Sequence, residues 1–176
     1  MKILFFISII LTSLISNAQE KEKYYAGIEG LSTTKGVFAY PTIGINFSKT
    51  KLQAGLLVGS SFVNNESTIG LQGDFLYFPN EQRVGEFNFY FISSANYFKN
   101  SISVGNAETQ TKTFQITFGY GFNYQIVKNL SFKSNIGLGS LVEIREFNFN
   151  TNSPKSKWGF AGLISLGINY KLWNGL

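Results

Sequence analysis

From residue 114 to residue 126 the chain alternates without exception. Phe114, Ile116, Phe118, Tyr120, Phe122, Tyr124 and Ile126 are separated by Gln115, Thr117, Gly119, Gly121, Asn123 and Gln125. A helix would return apolar residues every three or four positions, so a period of two predicts a strand with one apolar and one polar face. Residues 130–144 repeat the rhythm. Leu130, Phe132, Ile136, Leu138, Val142 and Ile144 stand opposite Ser131, Lys133, Asn135, Gly137, Gly139 and Glu143, with Ser134 and Ser140 as the polar residues on the apolar face. In the last predicted strand, 158–173, Ile164, Leu166, Ile168, Tyr170 and Leu172 share one face, and Ser165, Gly167, Asn169 and Lys171 the other. Segments 24–31, 37–48, 52–62, 67–78 and 87–98 are less regular and complete a set of eight. Pro41 lacks an N–H, which predicts a bulge or a strand start there. Phe78 breaks the alternation of the fourth strand and marks its end.

The connections sort into two sets. Those after even strands are 49–51, 79–86 and 127–129; those after odd strands are 32–36, 64–66, 100–112 and 147–157, and the two longest fall in the second set. Bacterial membrane barrels place short turns on the periplasmic side and longer loops outside, which would put both chain ends in the periplasm. Eight strands close a barrel whose interior side chains can fill, so bulk diffusion through it is disfavoured. The fold predicted for residues 19–176 is therefore all-β: an eight-stranded antiparallel up-and-down transmembrane β-barrel.

Composition supports this reading. The 176 residues include 18 Phe and 18 Gly, and charged residues reach only 14%, against about 25% in soluble domains. Mean hydropathy is only +0.03, as expected when apolar and polar positions alternate. The formal charge of +5 is scattered rather than gathered into an arm, so no nucleic-acid partner is expected. Met1-Lys2, an apolar stretch over 3–15 and Ser16-Asn17-Ala18 before Gln19 have the form of a cleaved secretory signal peptide, residues 1–18. No cysteine follows that site, so no lipoprotein anchor is expected. Beyond Ile15 no apolar run is long enough for a spanning helix, and membrane insertion would have to use strands.

Alternation directs Glu29, Asp74, Lys133, Glu143, Arg145 and Lys171 inward, where charges require partners. An ion-paired plug is expected, with Asp74, Lys133 and Lys171 in the periplasmic half, Glu143 and Arg145 toward the outer mouth and Glu29 between them. Tyr24, Phe47, Tyr77, Phe87, Tyr124, Phe132, Tyr170 and Trp173 fall near one set of strand ends, and Phe62, Tyr97, Phe114, Trp158 and Phe160 near the other, as two aromatic girdles would. The chain has neither histidine nor cysteine, which removes Ser-His hydrolase sites, His-ligated metals and thiol chemistry. Glu143-x-Arg145-Glu146 is a close charge cluster, read as ion pairing. No enzymatic activity and no cofactor are expected.

The segment 165–172, polar-x-Gly-x-x-aromatic-x-apolar, is similar to the terminal signal of bacterial outer-membrane barrels, with Ser165, Gly167, Tyr170 and Leu172 in the motif positions. With the leader and the eight strands, it resembles the small outer-membrane β-barrel family common in Bacteroidota, akin to the OmpX and OmpA transmembrane barrels. Trp173-Asn174-Gly175-Leu176 extends past the usual terminal aromatic, and no peptidoglycan-binding segment follows, so cell-wall tethering is not carried over. The resemblance implies partnership with outer-membrane lipid and lipopolysaccharide, and with periplasmic chaperones and the barrel-assembly machinery during biogenesis. It also implies a structural or surface-interaction role in which segments 100–112 and 147–157 meet the surroundings. Two alternatives remain open: a narrow transporter or channel, and a secreted soluble lipocalin-like ligand-binding barrel.

Overall fold

The structure, a computed structural model, describes residues 23–47, 49–62, 67–80, 82–104, 107–147 and 155–174. The expected leader and its cleavage site lie outside these residues. Eight strands, β1 (Lys23–Thr33), β2 (Gly36–Phe47), β3 (Thr50–Ser61), β4 (Ser67–Tyr77), β5 (Phe87–Val104), β6 (Ala107–Val127), β7 (Leu130–Phe147) and β8 (Lys155–Asn174), form a closed barrel. Each strand runs antiparallel to its sequence neighbours, and β8 returns to pair with β1, from Lys23 opposite Asn174 to Thr33 opposite Leu163. Segment 165–172 thus closes the barrel against 25–31, across one bulge near Tyr24 and Tyr25. Closure removes the unpaired edges that an open sheet would expose.

The barrel has two rims. At the terminal rim β1 begins and β8 ends; at the distal rim lie the β1–β2, β3–β4, β5–β6 and β7–β8 connections. The strands on the two sides differ in length. β1 to β4 have 11 or 12 residues each, close to the ~9–11 needed to cross a bilayer. β5 to β8 have 18 to 21. Segment 100–112, expected as a loop, is instead a paired hairpin, with Asn100 opposite Thr111 and Val104 opposite Ala107. Segment 147–157 is likewise shortened, because β7 reaches Phe147 and β8 resumes at Lys155. The apolar alternation fades above residue 98 while Ser, Thr, Ile and Val still suit a pleated backbone. Hydrophobic patterning therefore marks where the outer face turns polar rather than where the ladder ends. Residues 99–104 carry β5 roughly 20 Å further at about 3.3 Å per residue.

Pro41 makes neither a bulge nor a strand start. It sits within β2, exposed and opposite Ile28 in an unbroken β1–β2 register. On its β3 side the register is the same at Ala39–Val58 and Thr42–Gly55, while the pairing skips Tyr40 and Pro41, as the missing N–H requires.

Alternation sorts the side chains as the pattern requires. One outward residue from each strand shows it: Ile28, Ile43, Leu56, Ile69, Phe89, Phe118, Leu138 and Leu166 are all more than half exposed. Both aromatic sets face outward among the described side chains; Trp173's ring lies outside them. Phe87 packs on Phe122 and Tyr124 at centroid distances of 5.4 and 4.9 Å near the terminal rim. On the inward face of β6 and β7, glycine permits close approach between strands. A Cβ at Gly119 would lie 1.9 Å from the Ile136 carbonyl oxygen, and one at Gly139 1.9 Å from that of Ile116.

The lumen is layered rather than uniformly polar, which the alternation did not anticipate. Toward the distal rim an apolar cluster of Leu31, Phe38, Tyr40, Leu57, Phe98 and Leu163 fills the bore, with Phe38 stacked on Phe98 at 4.9 Å. Toward the terminal rim Leu76, Phe78, Tyr90 and Ile92 form a second. Phe78 does not merely end its strand; it turns inward, fully buried, against Tyr90 at 5.2 Å. Between the two apolar layers lies the polar core.

Candidate functional site

The middle of the lumen is built around Glu29, Lys133 and Asp74, carried by β1, β7 and β4 and at most 4% exposed. Period-two geometry aims all three at the axis. Lys133 Nζ lies 2.5 Å from Glu29 Oε1 and donates to Gln53 Oε1 at 2.7 Å. Gln53 Nε2 in turn donates to Glu29 Oε1 at 2.9 Å and to Asp74 Oδ2 at 2.5 Å. Asp74 also accepts from the Tyr40 hydroxyl at 3.0 Å and from Gln72 Nε2 at 2.8 Å. On the other flank Asn135 Nδ2 donates to Ser165 Oγ at 2.6 Å, and Ser165 Oγ donates to Glu29 Oε2 at 3.1 Å. Burying charge is unfavourable unless it is both paired and hydrogen-bonded. Here each carboxylate has at least three donors, and the network ties β1, β2, β3, β4, β7 and β8 together across the bore.

The remaining inward charges lie elsewhere. Glu143 is buried just below the distal rim, where Lys35 of the β1–β2 turn donates to it. Arg145 is on the same face but half exposed at the mouth, 3.9 Å from Glu143. Glu146's side chain lies outside the described residues. Lys171 is near the terminal rim, partly buried, far along β8 from Ser165. Of the motif positions in β8, Ser165 and Gly167 face inward and are buried, whereas Tyr170 and Leu172 face outward and are 52% and 57% exposed.

Sequence reasoning missed two cations. Lys35 sits in a turn, where alternation assigns no face. Lys51 stands one residue before the expected start of the third strand; extending that strand back by one puts it on Gln53's inward face. It is 7% exposed, and its ammonium lies 5.5 Å from the Tyr25 ring centroid and 5.1 Å from that of Phe78. Among the described residues it has no carboxylate partner. Lys51, Lys128 and Lys171, with Asn46, Asn123 and Asn169, line a polar cup of about 130 Å³ at the terminal rim. Among the described residues no acidic side chain lines it. Among the described residues no cluster of three potential metal ligands occurs.

Apolar outside and filled inside by two hydrophobic layers around an ion-paired core, the chain is a closed, side-chain-plugged eight-stranded β-barrel. Its fold is similar to the N-terminal β-barrel domain of Pseudomonas aeruginosa OprF, with a TM-score of 0.62 and 11% identity over 87% of this chain and 98% of that one. It is also similar to Neisserial surface protein A (TM-score 0.53, 11% identity, 86% and 96% covered) and to a major outer membrane protein from Thermus thermophilus (TM-score 0.50, 13% identity, 86% and 99% covered). No protein-family model and no curated protein sequence matches the chain.

Proposed function

We propose that this chain is an integral outer-membrane β-barrel with a structural or surface-interaction role and no enzymatic activity. The observation that carries the proposal is the apolar belt on the outward face of all eight strands, combined with a lumen that is already packed. Soluble monomers keep contiguous exposed apolar patches to about 300–600 Å². A belt running around the whole circumference instead suits a hydrocarbon environment, with aromatic rings near both rims. The similar structures add support at the level of fold, and two of them are named as a surface protein and an outer membrane protein.

In this reading residues 1–18 are a signal peptide removed on export, and Ser165, Gly167, Tyr170 and Leu172 form the signal that periplasmic chaperones and the barrel-assembly machinery engage. The extended β5–β8 strands then stand above the membrane, where Lys112, Arg145 and Lys157 present positive charge to lipopolysaccharide or a surface partner. A conducting pore is disfavoured by the Glu29–Lys133–Asp74 core, and a lipocalin-like role by the buried apolar side chains that occupy the lumen on either side of it. The membrane-extracted protein should migrate differently on gels before and after boiling, and should resist extraction from membranes by salt. Recovery of the mature protein in a salt-washed soluble fraction would refute the proposal. Planar bilayers should stay silent; ion conductance altered by neutralising Glu143 or Arg145 would favour the channel.

A further inference from the structure

We infer that the cup at the terminal rim is a binding site for a small oxyanion of the phosphate class. Three lysines from separate elements converge on it, Lys51 from β3, Lys128 from the β6–β7 turn and Lys171 from β8. The register brings them together: Asn46 is opposite Lys51, Tyr25 is opposite Lys171, and the Lys171 amide donates to the Asn129 carbonyl beside Lys128 at 2.8 Å.

Lys51 carries the inference. A lysine 7% exposed loses most of its hydration, and ring faces restore only a small part of that. The nearest buried acids are committed elsewhere, since Glu29 is taken by Lys133 and Asp74 by Tyr40, Gln53 and Gln72. Among the described residues no carboxylate matches this charge, and an anion entering the cup would do so. Amides complete the wall. Asn46, Asn123 and Asn169 belong to the lining, and a side-chain amide carries two N–H donors that an anion can use. Lysines and side-chain amides around a concavity with no acid among its described residues are the donor set that a multiply charged oxyanion uses. The cup's volume of about 130 Å³ is several times the ~10–15 Å³ that one water needs on the same measure. That is room for an ion of phosphate's size.

Free phosphate and a lipid headgroup share this chemistry, and the experiment separates them. Inorganic phosphate is titrated calorimetrically, at constant ionic strength, into the folded protein in a phosphate-free non-ionic detergent. Saturable binding is expected, weakened about tenfold or more, one decade of Kd, in Lys51→Met, which keeps the apolar stem and removes the charge. Lys49→Gln, an equal loss of charge at an exposed position on the same rim, should bind as the parent does. Doping the micelles with phosphatidylglycerol then names the source: displacement of phosphate means a lipid headgroup occupies the cup, and undiminished phosphate binding means the free ion does. Should Lys51→Met fail to fold, Lys128→Gln at the open edge of the cup provides the same comparison with a smaller expected loss. The inference is overturned if phosphate gives no saturable signal, or if the folded lysine variants bind it as tightly as Lys49→Gln. The test does not depend on membrane residence, so its failure would leave the outer-membrane proposal standing.

Discussion

Lys133 is the residue on which the lumen core depends most directly. Its ammonium neutralises Glu29 and is held by Gln53 in a space that water does not enter, with both charged partners about 1% exposed. Lys133→Met leaves Glu29 and Asp74 as uncompensated buried anions, so a loss of about 3–5 kcal/mol is expected. Combining it with Glu29→Leu should recover part of that loss. Urea unfolding in detergent micelles would measure both, and equal stabilities for the single variant and the parent would show that the pair contributes nothing. This residue was legible in the sequence because alternation fixes the face and a charge on an inward face must find a partner. Depth along the bore was less legible. Arg145 shares Glu143's face yet sits half exposed, since a period of two says nothing about distance to a rim. The large inward apolar residues Phe38, Leu57 and Phe98 were not foreseen either. They occupy positions that the polar set holds in better-patterned strands, and only the closed bore shows that they stack on one another.

At the scale of elements, the hairpins differ in what they hold. Segment 100–111 pairs within its own hairpin and, through residues 109–111, with the end of β7. Replacing residues 100–111 by a two-residue Asn-Gly turn should leave a barrel that still shows heat-dependent migration, with stability changed by less than about 1 kcal/mol; collapse of the folded band would show that the extension nucleates the barrel. The closing strand should be less forgiving. Tyr170→Asp puts a charge on the outward face near the terminal rim, and deletion of residues 165–176 removes the partner of β1 over most of its length. Either change should abolish membrane assembly, as judged by fractionation, and normal insertion of both variants would remove the assembly role from this segment. Strand identity was plain in the sequence where outward apolar residues alternate with inward polar ones. Where β5 to β8 outgrow the apolar belt, the outer face loses its hydrophobic marker while the ladder continues, and the strand ends could not be read.

Across the whole molecule, side chains from opposite walls meet at the axis, so no wall is independent of the others. The network from Tyr40 through Asp74, Gln53 and Glu29 to Ser165 crosses the bore, and the distal apolar cluster likewise joins β1, β2, β3, β5 and β8. The architecture was readable from the sequence because consecutive strands need only pair with their neighbours. Seven of the eight seams join strands adjacent in the chain and can form as local hairpins; the β1–β8 seam joins its two extremes. That seam must wait for the other strands, and a slip of one residue there would exchange lumen-facing for outward-facing side chains along β8. Final closure is thus the step at which folding is most exposed to delay. Ile28 and Ile168 are directly opposed across the seam and both face outward. Opposed residues in antiparallel strands have Cα atoms about 4.5–5.5 Å apart, within disulfide range. In a chain with no cysteine of its own, Ile28→Cys combined with Ile168→Cys should cross-link only after the seam has zipped. The time course of that cross-link, followed by non-reducing gel electrophoresis during refolding, should lag behind the appearance of β-structure, and simultaneous onset would mean that the barrel closes as it forms.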